Sequence, residues 1–355
     1  MRCCLLLLLA AAPAFAGPGR SLIELAGPAG AVRGRLECRT DAAAYLLTPG
    51  GTLEAVPLAG VSSFRRVAPV FRADPAAVVA SRLKAEVGRG GAVFRTRRWV
   101  VARHAARTPG TYGAELERIH QGVSAWFARR GTRLPEPEFP LVAVVLPDFP
   151  SFAKVAAADG VASSPGRVPR AVKGYYSPTS NRLILWEGPG GPADAGFRST
   201  LTHEAVHQIC HNTGLHGRTG GSPRWAVEGL ATVLEVPAAL AGGRVALADK
   251  ANPSRLARFR RTRHTPGYLD RLVSGPAGDD LVHADPRAFY ADAWALTFFL
   301  TETRGPRYAR YLGRLGEKTA ADPDDPAARR ADFRAAFAAD PSDLEGEMEA
   351  WIAGL

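Results

Sequence analysis

Thr202-His203-Glu204-Ala205-Val206-His207 lies inside a run from Ala195 to His211 that contains no proline. Asp194 stands ahead of the run as an N-cap, and Asn212 and Gly214 close it, so one helix is expected there. At about 100° per residue, Leu201, Ala205, Val206 and Ile209 share one arc of that helix. His203 and His207 are four apart and fall at the edge of the arc, so their imidazoles aim at one point. That is the geometry a tetrahedral Zn²⁺ requires of its first two protein ligands. Glu204 lies beside such an ion rather than on it, where it can take a proton from an activated water. Five residues of this pattern also arise by chance, so a third ligand decides what the motif is worth.

Downstream comes Ser222-Pro223-Arg224-Trp225-Ala226-Val227-Glu228-Gly229-Leu230-Ala231, a second helical pattern opening near Pro223. Two antiparallel helices joined by the glycine-rich loop 214–221 would bring Glu228 opposite the histidine pair. Two histidines and a glutamate with one open position form a known catalytic zinc set. A second zinc pattern, H-E-x-x-H-x-x-G-x-x-H, fails here, because Cys210 and Thr213 occupy its glycine and third-histidine positions. His211, one turn past His207, competes as a ligand with its blander reading as a solvated or supporting histidine. Cys210 points toward the apolar arc and is expected to be a buried thiol.

The pairing of H-E-x-x-H with W-x-x-E-G-L-A resembles the gluzincin metallopeptidases. More narrowly, it resembles the peptidase-MA-like domains of secreted bacterial proteins. The resemblance implies a zincin-like α+β fold, zinc ligands at His203, His207 and Glu228, and a general base at Glu204. The hairpin expected over Gly174–Trp186 is similar to a segment of the same family. Phe289-Tyr290-Ala291-Asp292-Ala293-Trp294-Ala295-Leu296 is similar to another. Members often stabilise the oxyanion with a tyrosine or histidine from the helical half, which implies Tyr290, with His283 as the second candidate. One departure stands out. Thr232 and Leu234 follow Glu228 where such sequences often carry an acidic residue and an aromatic, which leaves the support of the ligands open.

The rest of the chain sets the context. Arg2, the apolar run Cys3–Ala12 and Ala14-Phe15-Ala16 read as a secretory signal over residues 1–16. That run is too short to span a bilayer, so no transmembrane segment is expected after its removal. The expected address is secreted, periplasmic or cell-envelope. Removal of the leader leaves Cys38 and Cys210, which are expected to be unpaired thiols. Residues 17–88 read as a small β-rich accessory domain, with strands such as Ala31–Cys38 and Ala43–Leu47 between glycine and proline turns. The helix Ala76–Val87 would close it at Gly88. Residues 89–355 read as the catalytic domain, with an α/β part over 89–235 and a helical part over 236–355. Ala92–Ala102 reads as a strand, Gly113–Arg129 as a helix and the apolar run Leu141–Leu146 as a buried strand. Asp285 caps a helix running to Glu302, and Asp332–Leu355 reads as a closing helical hairpin.

The formal net charge is +11, but no run of five basic residues and no aromatic-interleaved basic stripe occurs, so nucleic-acid binding is not expected. The expected partner is a peptide or protein substrate, and the expected chemistry is zinc-assisted hydrolysis of its amide bonds. Two alternatives stay open. One is a secreted binding or scaffold protein with a structural zinc site; the other is an amidohydrolase acting on envelope stem peptides.

Overall fold

The computed structural model describes residues 20–104, 111–161, 168–188, 190–191, 194–275 and 284–355. The expected leader and His283 lie outside the described residues. The fold is mixed α+β, with an N-terminal β sheet and a mostly helical C-terminal half.

Short apolar runs, interrupted at Gly27-Pro28 and Pro49-Gly50-Gly51, give five antiparallel strands. They are β1 (Leu22–Gly27), β2 (Gly30–Arg39), β3 (Ala43–Leu47), β4 (Leu53–Pro57) and β5 (Ser63–Ala68), in the spatial order β4-β3-β2-β1-β5. One face buries Ile23, Leu25, Ala44 and Leu46, as the two-residue period of strands requires. Cys38 in β2 is buried and free, and so is Cys210.

A second sheet follows. β6 (Ala92–Arg95) and β7 (Trp99–Arg103) form a tight hairpin rather than the single strand expected over Ala92–Ala102. The polar stretch Thr96-Arg97-Arg98 breaks the run, and the Thr96 hydroxyl accepts the Trp99 N–H at 3.0 Å. β8 (Leu141–Leu146), β9 (Gly174–Ser177) and β10 (Arg182–Trp186) complete the order β6-β7-β8-β10-β9. β7, β8 and β10 run parallel, while β6 and β9 lie antiparallel at the two edges. Every residue of β8 is buried because helices cover both faces. Val100, Val142, Val144 and Ile184 pack against α1 (Ala76–Val87) and α3 (Phe149–Ala158). Trp99, Val101, Leu141, Ala143 and Leu183 face α2 (Thr111–Ala128) and α4 (Ala195–Asn212). Helix α1, which the sequence grouped with the N-terminal unit, thus packs on the second sheet through Val79, Leu83 and Val87. The expected boundary at residue 88 falls after a helix whose partners lie beyond it.

Past α4 the chain is helical. α5 (Arg224–Leu234), the short α6 (Pro237–Leu240) and α7 (Leu247–Lys250), α8 (Pro253–Arg261) and α9 (Tyr268–Ser274) precede a long central helix, α10 (Pro286–Thr303). Asp285 caps α10 by accepting the Ala288 N–H at 3.0 Å. α11 (Gly305–Glu317), α12 (Pro326–Phe337) and α13 (Glu345–Ala353) close the core with Tyr311, Phe333, Phe337, Met348 and Ile352. No helix among the described residues is long and apolar enough to cross a membrane.

α5 and α10 touch backbone to backbone at Gly229. A Cβ there would stand 2.2 Å from Thr297 Oγ1 and 2.5 Å from the Ala293 carbonyl. Gly229→Ala is therefore expected to push the helices apart and destabilise the fold by about 1–3 kcal/mol, the usual range for overpacking. Urea unfolding checks this; an unchanged midpoint would contradict the close approach.

Candidate metal centre

The helix carrying the histidine pair is built as the residues require. The Asp194 carboxylate accepts the Phe197 N–H at 2.6 Å and also receives Lys173 Nζ at 2.6 Å. Leu201, Ala205, Val206, Ile209 and Cys210 are buried on its apolar face. Gly214, in the left-handed region at φ 78°, ends the run, and the chain returns through residues 213–223 into α5. Pro223 precedes the first turn of α5, and Trp225, Ala226, Leu230 and Ala231 anchor it in the same core.

Two packed helices thereby bring His203, His207 and Glu228 together. Glu228 Oε2 lies 3.2 Å from His203 Nε2 and 3.5 Å from His207 Nε2. The two imidazole rings stand 4.7 Å apart, nearly perpendicular. One ligand atom from each residue lies within 4.8 Å of the others, so the group could hold a metal ion. All three side chains are largely withdrawn from water, at 12 %, 8 % and 15 % exposure. Burial opposes the charged form of His203, but its hydrogen bonds to Glu228 and Glu235 outweigh that and raise its pKa well above the ordinary value. Burial likewise penalises ionised Glu228, but the charge of His207 and the hydrogen bonds from both histidines hold its carboxyl well below the usual range.

Glu235 is the supporting residue that the sequence did not reveal. Its Oε2 lies 2.8 Å from His203 Nδ1, and its Oε1 accepts Asn252 Nδ2 at 2.7 Å. When a metal ion replaces the proton on Nε2, the Nδ1 proton directed at Glu235 would leave the Nε2 lone pair of His203 facing the centre. The acidic residue that Thr232 replaces is supplied three positions later. Glu235 follows Glu228 by two helical turns on the same face, a spacing that could have found it. Thr232 instead hydrogen-bonds the Glu228 carbonyl at 2.7 Å. The Glu235→Gln variant is expected to weaken metal binding by about 10–100-fold, the usual effect of losing such a support. Competition against a chromophoric chelator measures it, and an unchanged affinity would remove Glu235 from the centre.

Glu204, beside the ligand group, reaches β9. Its Oε2 accepts the backbone N–H of Tyr176 at 2.9 Å. Burial raises its pKa, and the neighbouring histidines only partly offset that. Tyr175 donates its hydroxyl to Asp159 at 2.7 Å, and Tyr176 donates its hydroxyl to Asn181 at 2.9 Å. Both rings are buried, and it is the main chain of Tyr176 that reaches the site.

Tyr290, on α10, lies with its ring 6.5 Å from that of His203. Burial raises its pKa, and the carboxylates of Glu228 and Glu204 add to the effect, so the hydroxyl keeps its proton. The Arg255 guanidinium covers the ring at 5.1 Å. His211 stands outside the ligand group, packed between Tyr176 and His216 with ring separations of 5.3 Å to each. Burial, then repulsion by His216 and His207, keeps it neutral. Burial also pushes the Cys210 thiol up, which leaves it protonated and inert.

Residues 198–322 are similar to a family described as a protein of unknown function (DUF1570). The matched stretch holds His203, Glu204, His207, Glu228 and Tyr290 with the supports Glu235 and Asn252, while both sheets precede it. A search of curated proteins finds no match.

Proposed function

We propose that the chain is an exported zinc-dependent peptidase of zincin-like fold that hydrolyses peptide bonds, with Glu204 as general base. The observation that carries this reading is the convergence of His203, His207 and Glu228 beside a half-buried Glu204. The donor set suits zinc. A tetrahedral ion with ligand bonds of roughly 2.0–2.2 Å needs ligand atoms roughly 3.3–3.6 Å apart, and Glu228 Oε2 stands 3.2 and 3.5 Å from the two imidazole nitrogens. Two imidazoles and one carboxylate also leave room for a fourth, exchangeable position, as a catalytic site requires. Bound there, zinc would supply a Lewis acid and acidify a water to a pKa of roughly 7.

The chain's own groups account for the rest. Glu235 and Asn252 hold His203 in its ligating orientation. Glu204 accepts the proton of the attacking water and passes it to the leaving amine. Burial raises its pKa above that of an exposed glutamate, which makes the carboxylate a stronger base for the first half of that task. Tyr290, kept protonated, donates a hydrogen bond to the oxyanion. β9, a sheet edge, offers an extended peptide a strand to lie along. A purely structural zinc site would have no use for a base at position 204. We assign the leader over residues 1–16 to export, and the N-terminal sheet to a role that supports the site.

Incubation of the purified chain with an unfolded protein, with and without a zinc chelator, tests the reading. Cleavage that the chelator stops and added zinc restores is the expected result. Bound zinc without cleavage of any substrate would favour the scaffold alternative.

A further inference from the structure

The loop 213–223 joins the two ligand helices, and at its centre stands Arg218. Among the described residues its guanidinium pairs with no carboxylate and reaches backbone carbonyls instead. Nε donates to the Pro178 carbonyl at 2.9 Å, and Nη2 donates to the Gly51 carbonyl at 2.7 Å and to the Thr179 carbonyl at 3.3 Å. Pro178 and Thr179 form the turn between β9 and β10, and Gly51 belongs to the loop that leads into β4 of the N-terminal sheet. One side chain thus ties three segments together: the ligand loop, the edge hairpin and the N-terminal unit.

Further contacts at the same place run in the same direction. The Leu53 N–H donates to the Thr179 carbonyl at 2.8 Å. Gly51 has a φ of 89° and lies so close that a Cβ would stand 3.2 Å from Asn181 Nδ2 and 3.3 Å from the Phe139 ring. Asn181, buried and left-handed at φ 58°, closes the turn. Its Oδ1 accepts the Tyr176 hydroxyl at 2.9 Å and Asn212 Nδ2 at 2.7 Å, and its carbonyl accepts Gln208 Nε2 at 3.0 Å. Gln208 and Asn212 belong to α4, the helix of His203 and Glu204. The clamped turn therefore sits one residue past β9, whose Tyr176 N–H is the hydrogen-bond donor to Glu204.

We propose that Arg218 is a positioning residue for Glu204: it pins the β9–β10 turn to the ligand loop and to the N-terminal sheet, and so holds the Tyr176 amide on the carboxylate. The N-terminal sheet is then part of the site's scaffolding rather than a separable appendage. β9 has four residues and a single neighbouring strand, so beyond its two buried tyrosines its register depends on how the turn that follows it is held. The metal ligands sit on helices packed in the main core and do not depend on the clamp. The catalytic meaning of this placement rests on the peptidase reading; the clamp itself does not.

The test is hydrogen exchange on the zinc-loaded chain, read by mass spectrometry over residues 174–177, for wild type, Arg218→Ala and Arg218→Lys. In Arg218→Ala, exchange over 174–177 is expected to rise at least tenfold. Bound zinc should be unchanged, and so should exchange over β8. With a cleavable peptide, kcat should fall about tenfold while KM stays within twofold, and Arg218→Lys should recover part of both effects. Exchange over 174–177 equal to wild type would overturn the proposal, as would a loss confined to KM. If Arg218→Ala exchanges rapidly throughout, Arg218→Lys decides. A rise confined to 174–177 supports the clamp, and no rise overturns it. A wild-type chain that cleaves nothing counts against the peptidase reading alone, because the exchange result still decides the clamp.

Discussion

The Glu204→Gln variant should keep its zinc and lose nearly all turnover, by about 10²–10⁴-fold in kcat, the usual contribution of a positioned general base. The substitution preserves size, and the Gln oxygen can still accept the Tyr176 N–H that Glu204 accepts at 2.9 Å. What disappears is the capacity to take a proton. Burial has already raised the Glu204 pKa, so the carboxylate is a better base than an exposed glutamate. Because Glu204 belongs to no part of the ligand group, metal content and thermal midpoint should match wild type. Steady-state kinetics on a fluorogenic peptide, alongside metal analysis, separates the two. A Glu204→Gln chain that hydrolyses as fast as wild type would move the base elsewhere.

Glu228→Ala should do the reverse and strip the ion. Of the three residues that could hold the ion, Glu228 alone comes from α5, and its Oε2 lies within 3.5 Å of both imidazoles. Its loss leaves two histidines on a single helix face, too few donors for a tetrahedral site. Affinity should fall by more than the 10–100-fold expected for a supporting residue such as Glu235, with activity falling in step. The fold should survive, because Trp225, Ala226 and Leu230 hold α5 in the core without Glu228. Circular dichroism and a chelator competition check both halves. Wild-type affinity in this variant would remove Glu228 from the ligand set.

Much of this centre was legible in the residues, because side chains and helical spacing carry it. Asp194 caps the ligand helix as expected, that helix ends at Asn212, and Glu228 meets both histidines. Asp285 caps α10, and Cys38 and Cys210 are buried and free. What escaped the sequence has identifiable physical causes. A backbone amide carries no signature in a side-chain pattern, so the role of the Tyr176 N–H is invisible in the residues. The resemblance points to an acid at Thr232, and only the helix geometry shows that Glu235 is the carboxylate that reaches His203. Arg218 is one arginine among many in a basic chain, and only the approach of three segments makes its carbonyl contacts informative. Nothing in residues 76–87 says which of two sheets the helix will cover; its partners Val100, Val142 and Ile184 are far along the chain.

The most direct test is the metal content of the purified wild-type chain, measured by inductively coupled plasma mass spectrometry after metal-replete refolding and exhaustive dialysis. One zinc per chain is the predicted result. A chain that retains no zinc would contradict the centre on which the whole account stands.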